Sequence, residues 1–120
     1  MTSRHLVDPE LLPLIEAMPT VTLSAENLGV IRQARDAMLA MLPPFPESVA
    51  VEERFIPGPV GAPDVRVKVY RKKSGAASHP AILHLHGGGY IMGNPEFMGP
   101  QCALWADVFD AVVVAPAYRL

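Results

Sequence analysis

Three consecutive glycines placed directly after an apolar, strand-like run constrain this chain more than any other feature. Ala81-Ile82-Leu83-His84-Leu85 leads straight into His86-Gly87-Gly88-Gly89-Tyr90. Glycine adopts left-handed backbone conformations without the Cβ penalty that other residues meet, so the chain can turn tightly at the strand end and gather its N–H groups inward. Inward-facing backbone N–H groups are what a developing oxyanion requires. No Gly-x-Ser-x-Gly follows, so an anion-stabilising loop stands without a visible nucleophile.

Nucleotide loops fail on spacing. Gly87-x-Gly89 would need glycine at position 92 for a dinucleotide fingerprint, where Met92 stands, and no Gly-Lys-Ser or Gly-Lys-Thr ending exists for a phosphate loop. His84 and His86, two apart on a strand, share a face and have the geometry of a metal-ligating pair, but no third ligand cluster accompanies them. We read one as packed in the sheet and the other as hydrogen-bonding the loop. Among the serines, Ser24 reads as a helix cap and Ser74 and Ser78 as linker; neither these nor Ser3 and Ser48 lie in a glycine-flanked elbow. Cys102 reads as a buried, inert thiol on a helix facing the sheet, and Asp107 and Asp110 as residues that cap or solvate a helix end.

The rest of the chain frames the loop. Asp8-Pro9-Glu10 starts a short helix carrying Leu11, Leu12, Leu14, Ile15 and Met18, closed by Pro19, and a second helix runs from Ser24 through Leu28, Ile31, Ala34, Met38 and Leu42 to Pro43-Pro44. From Ser48 the apolar period becomes two. Val49, Val51 and Phe55, then Val65, Val67 and Val69, predict two one-sided strands joined through Pro57-Gly58-Pro59, an antiparallel pair at a sheet edge. Ala81–Leu85 and Ala111–Ala115 are short apolar runs, expected of strands covered on both faces, with a crossover helix between them over Pro100–Phe109. Ser74 to Ser78 reads as a surface connection. This order predicts an α/β sheet.

Composition excludes several classes. Ten basic against 12 acidic side chains, with the only basic cluster at Arg71-Lys72-Lys73, give no footprint for nucleic acid or an anionic membrane. One cysteine allows no intrachain disulfide, and the start of the chain has no secretory pattern. The longest apolar stretch, Ala111 to Tyr118, is interrupted by Pro116 and is far shorter than the ~20 residues of a membrane helix. A cytoplasmic protein without a membrane span is expected.

Taken together, the paired N-terminal helices, the Phe55–Asp64 loop followed by Val65-Arg66-Val67-Lys68-Val69-Tyr70, the His86-Gly87-Gly88-Gly89-Tyr90 motif with Gly93, and Val112-Val113-Val114-Ala115-Pro116-Ala117-Tyr118-Arg119-Leu120 resemble the hormone-sensitive-lipase-like branch of the α/β-hydrolases. The resemblance spans essentially the whole chain. It implies carboxylic ester hydrolysis through an acyl-enzyme, with the backbone N–H groups of Gly88 and Gly89 in the oxyanion hole. His86 and Gly87 would support the loop, Tyr90 would lie near the acyl or alcohol pocket, and no cofactor or metal is implied. Residues 1–46 would form N-terminal cap helices, and 47–120 an incomplete α/β-hydrolase core of four strands and one crossover helix.

In relatives the Tyr-Arg-Leu stretch continues into Ala-Pro-Glu, position 117 is commonly aspartate, and the elbow serine, acid and histidine lie farther on. The 120 residues are expected to be the first third of such a hydrolase, to leave one edge of the third strand unpaired, and to be poorly stable or molten and inactive alone. A small ester would be the substrate of the completed protein. A non-catalytic shortened paralogue that acts as a binding partner or has no retained function, and a small module using the glycine loop for an anion, are the alternatives.

Overall fold

The computed structural model describes residues 3–18, 21–75 and 78–120. Its centre is a four-stranded mixed sheet of β1 (Val49–Ile56), β2 (Val65–Lys72), β3 (Ala81–Leu83) and β4 (Val112–Pro116), in the spatial order β1-β2-β4-β3. β1 and β2 form the expected antiparallel pair, with Val51 opposite Tyr70 and Glu53 opposite Lys68. β2 is not an edge strand, because its other side pairs antiparallel with β4. β3 and β4 run parallel and are joined by the crossover helix α3 (Gly99–Val108). This is the N-terminal part of an α/β-hydrolase architecture.

The core lies where α3 meets one face of the sheet. α3 presents Cys102, Ala103 and Ala106, all fully buried, and their small side chains let the helix settle closely onto Tyr70, Val113 and Ala115. Phe45 meets the Tyr70 ring edge-on, with centroids 5.8 Å apart. Asp107 does not cap its helix. Its carboxylate accepts from Ser48 Oγ at 2.9 Å and pairs with Lys72 Nζ at 3.3 Å, tying α3 to the strand ends beneath it. Asp110 follows α3 with a φ of +48°, the left-handed step that turns the chain into β4.

The opposite face, which carries Val69, Leu83, Val112 and Val114, has no helix against it among the described residues. Here the reading of Ala81–Leu85 as a strand covered on both faces is corrected: Leu83 is 66% and Leu85 62% exposed. The strand is also shorter than that run and lies outermost, so alternation in depth follows from a single helix layer rather than two.

The N-terminal helices are shorter than the apolar spacing suggests. Asp8 accepts the Glu10 N–H at 2.9 Å and starts a 3-10 turn, Pro9–Leu11, that continues into α1 (Leu12–Ala17). Pro19, read as its stop, lies outside the described residues. Ser24 and Asn27 exchange hydrogen bonds across the turn before α2 (Leu28–Ala37), and a 3-10 turn, Met38–Met41, follows it. No side chain of α1 or α2 is buried. The radius of gyration is 18.2 Å, whereas a compact chain of this length would have about 13.6 Å, because these helices stand away from the sheet. No helix among the described residues is long and apolar enough to cross a membrane.

Burial raises the Tyr70 hydroxyl to about 12, helped by the neighbouring Cys102, and raises the Cys102 thiol to about 11. Both are neutral in the fold and ionise more readily once unfolded. Their stabilisation is therefore whole below about pH 9 and is lost as pH rises through about 11 and then about 12. Urea unfolding followed by the fluorescence of Trp105, which packs at the α3 interface, is expected to show a lower midpoint at pH 10.5 than at pH 8. Equal midpoints would contradict the burial of these two groups.

Candidate active site

The glycine run forms a tight loop at the C-terminal end of β3, and only glycine fits two of its positions. At Gly88 φ is +143°, and a Cβ there would lie 1.8 Å from the Met92 carbonyl oxygen. At Gly93 φ is +103°, and a Cβ would lie 2.4 Å from the Gly87 oxygen and 2.7 Å from His86 Nδ1. The Gly88 carbonyl accepts the N–H groups of Ile91 (3.2 Å) and Met92 (3.1 Å), which closes the turn. Tyr90 also takes a left-handed φ, +60°, a conformation that a bulky side chain rarely adopts, and the residue is 81% exposed.

His86 and Tyr118 brace the loop from below. His86 is buried, its Nδ1 lies 3.1 Å from the Gly87 carbonyl, and its ring stacks on Tyr118 with centroids 4.1 Å apart and planes 12° from parallel. The Tyr118 hydroxyl donates to the His86 carbonyl. Register explains the meeting: Ile82 lies opposite Val113, and the same parallel offset continued four residues on brings His86 beside Ala117 and Tyr118. Ala117 itself donates its N–H to the Arg66 carbonyl at 2.8 Å, extending the β2–β4 ladder whatever its side chain.

Beyond the loop, Arg66 holds Glu96 through two hydrogen bonds of 2.5 and 3.2 Å. Burial works against the Glu96 carboxylate, yet the Arg66 hydrogen bonds and the charges of Arg66 and Lys68 keep its pKa below the ordinary value. The segment that follows the glycines is thereby pinned to β2.

Leu85 to Tyr90 and Tyr118 line an open concavity of about 510 Å³. No described residue accepts the N–H of Gly88 or Gly89. Gly88 and Gly89, whose N–H groups no described residue claims, thus line a largely apolar hollow.

The groups that would perform nucleophilic chemistry do not reach this place. Ser48 is engaged by Asp107, Ser24 by Asn27, and Cys102 lies in the α3 core with a raised pKa. His84 packs against Trp105, with ring centroids 5.7 Å apart and planes 63° from parallel. His79 lies 3.4 Å from the Asp110 carboxylate, but at the far end of β3 from the glycines. No group of three or more metal-ligating side chains occurs among the described residues. Tyr118 belongs to the Tyr-Arg-Leu stretch, and the parallel register accounts for its place beside His86, whereas Arg32 lies in no motif and nothing local signals it.

Residues 82–120 match the α/β-hydrolase fold family. Esterase LipI of Mycobacterium tuberculosis is 33% identical over 115 residues, which are 95% of this chain and 35% of that protein. Carboxylesterase NlhH of the same organism is 31% identical over 118 residues, 98% of this chain and 36% of that protein. Among solved structures, a bacterial heroin esterase superposes with a TM-score of 0.79 at 30% identity, over 99% of this chain and 38% of that one. The chain thus has the fold of the N-terminal portion of an α/β-hydrolase and is similar over nearly its whole length to carboxylesterases of that fold. It spans about a third of the length of the curated relatives it matches.

Proposed function

We propose that this chain supplies the oxyanion-hole loop of a serine carboxylic ester hydrolase. The observation that carries the reading is the pair of N–H groups at Gly88 and Gly89, unclaimed by any described residue, in two residues that line the concavity. When a serine carried beyond these residues adds to an ester carbonyl, negative charge collects on the carbonyl oxygen. Donors already fixed in place stabilise that charge more in the transition state than in the ground state. Collapse of the tetrahedral species expels the alcohol, and water then releases the acid from the acyl-enzyme. Residues up to 46 act as cap helices over this site and residues 47–120 as part of its core. Tyr90 borders the acyl or alcohol pocket.

Among the described residues no nucleophile, base and acid converge on the loop, and the chain alone is expected to hydrolyse no ester at a measurable rate. A chimera in which residues 1–120 replace the matching stretch of carboxylesterase NlhH is expected to turn over p-nitrophenyl butyrate, while the 120-residue chain alone does not. Turnover by the chain alone would refute the proposed division of labour. A folded chimera that binds the ester but never hydrolyses it would refute the oxyanion assignment.

A further inference from the structure

α2 touches the body of the protein through one polar face. Arg32, Arg35 and Asp36 are spaced three and four residues apart and all meet residues 91–97. Arg35 lies over the Phe97 ring, 5.2 Å from its centroid, and Asp36 accepts from Asn94 Nδ2 at 2.8 Å. Arg32 does something different: its Nε and Nη2 donate to the Ile91 carbonyl at 2.8 and 2.6 Å.

The Ile91 carbonyl belongs to the same peptide group as the Met92 N–H. That N–H donates to the Gly88 carbonyl at 3.1 Å, and the Gly88 carbonyl belongs to the same peptide group as the Gly89 N–H. A continuous line of donors and acceptors therefore runs from the Arg32 guanidinium through two peptide groups to Gly89. Hydrogen bonds in series polarise one another, and a charged donor at the head of the line strengthens each later one.

We infer that Arg32 is a positioning residue for the oxyanion loop, which it polarises and holds through the Ile91–Met92 and Gly88–Gly89 peptide groups. The inference rests on the proposed role of Gly89 for its catalytic meaning, but the relay itself can be read without catalysis. A neutral oxygen gains little from it. An oxyanion gains more, because the relay sharpens the dipole that faces it.

The test uses amide hydrogen exchange and 15N–1H spectra of the full chain. Arg32→Met is expected to speed exchange at Met92 by about tenfold, the scale of one charge-assisted hydrogen bond, and to move the Gly89 amide proton upfield. Arg32→Lys should restore part of both. Arg35→Met loosens the same helix face without entering the relay, and should leave Gly89 in place. Equal effects of Arg32→Met and Arg35→Met, no change at Gly89, or a parent chain whose Met92 amide exchanges as in an unstructured peptide would each overturn the inference. In the chimera, Arg32→Met should lower kcat more than it raises KM. Altered amides with unchanged kcat would count against the oxyanion role of Gly89 and leave the relay standing.

Discussion

Gly88→Ala in the chimera is expected to lower kcat by at least about 10²–10³, the loss seen when one oxyanion donor is removed. The new Cβ would lie 1.8 Å from the Met92 carbonyl oxygen, a backbone atom that cannot swing aside, and φ of +143° is strained for any L side chain. The turn must open. With it goes the Met92 N–H bond to the Gly88 carbonyl, so the amide of Met92 should lose protection in the same variant. Gly87 is the internal comparison: a Cβ there meets nothing within 4 Å, and Gly87→Ala should cost far less. Similar kcat values for the two variants would show that loop geometry at Gly88 does not govern the chemistry.

The largest effect on stability is expected from Tyr70→Ala. Tyr70 is 1% exposed and fills the middle of a core whose other members are mostly alanine, valine and cysteine. Removing its ring leaves a cavity that neighbours this small cannot fill by repacking. Truncation of a buried aromatic costs about 3–5 kcal/mol, against a total stability on the order of 5–15 kcal/mol for a whole domain. Little or no cooperative urea transition should remain. Tyr70→Phe keeps the ring and should keep the transition, while reducing the sensitivity to alkaline pH because only Cys102 then ionises out of place. A Tyr70→Ala chain within about 1 kcal/mol of the parent would mean that the α3 face is not the core.

Much of this arrangement could be read from the residues because local chemistry dictates it. Alternation of Val49 and Val51, then of Val65, Val67 and Val69, marks two strands, but the register puts Val49 and Val51 on the α3 face beside Tyr70 and the valines of β2 on the opposite face, which the alternation alone did not distinguish. The glycine loop was legible for a similar reason: a conformation open mainly to glycine leaves a mark in sequence. Exposure of Leu83 and Leu85 left none, since it depends on which layers cover the sheet. Asp107 looked like a helix-end residue until the fold brought Ser48 and Lys72 beneath it. Arg32 meets Ile91 across 59 positions of chain, and no local pattern encodes a contact to a backbone carbonyl at that distance.

The grip of α2 on residues 91–97 also works in reverse. If order in the loop depends on the helix, linkage requires that order in the helix depend on the loop to the same extent. An anion seated against Gly88 and Gly89 would then hold α2 down from a distance. α2, which buries no side chain of its own, would draw part of its order from the state of the site.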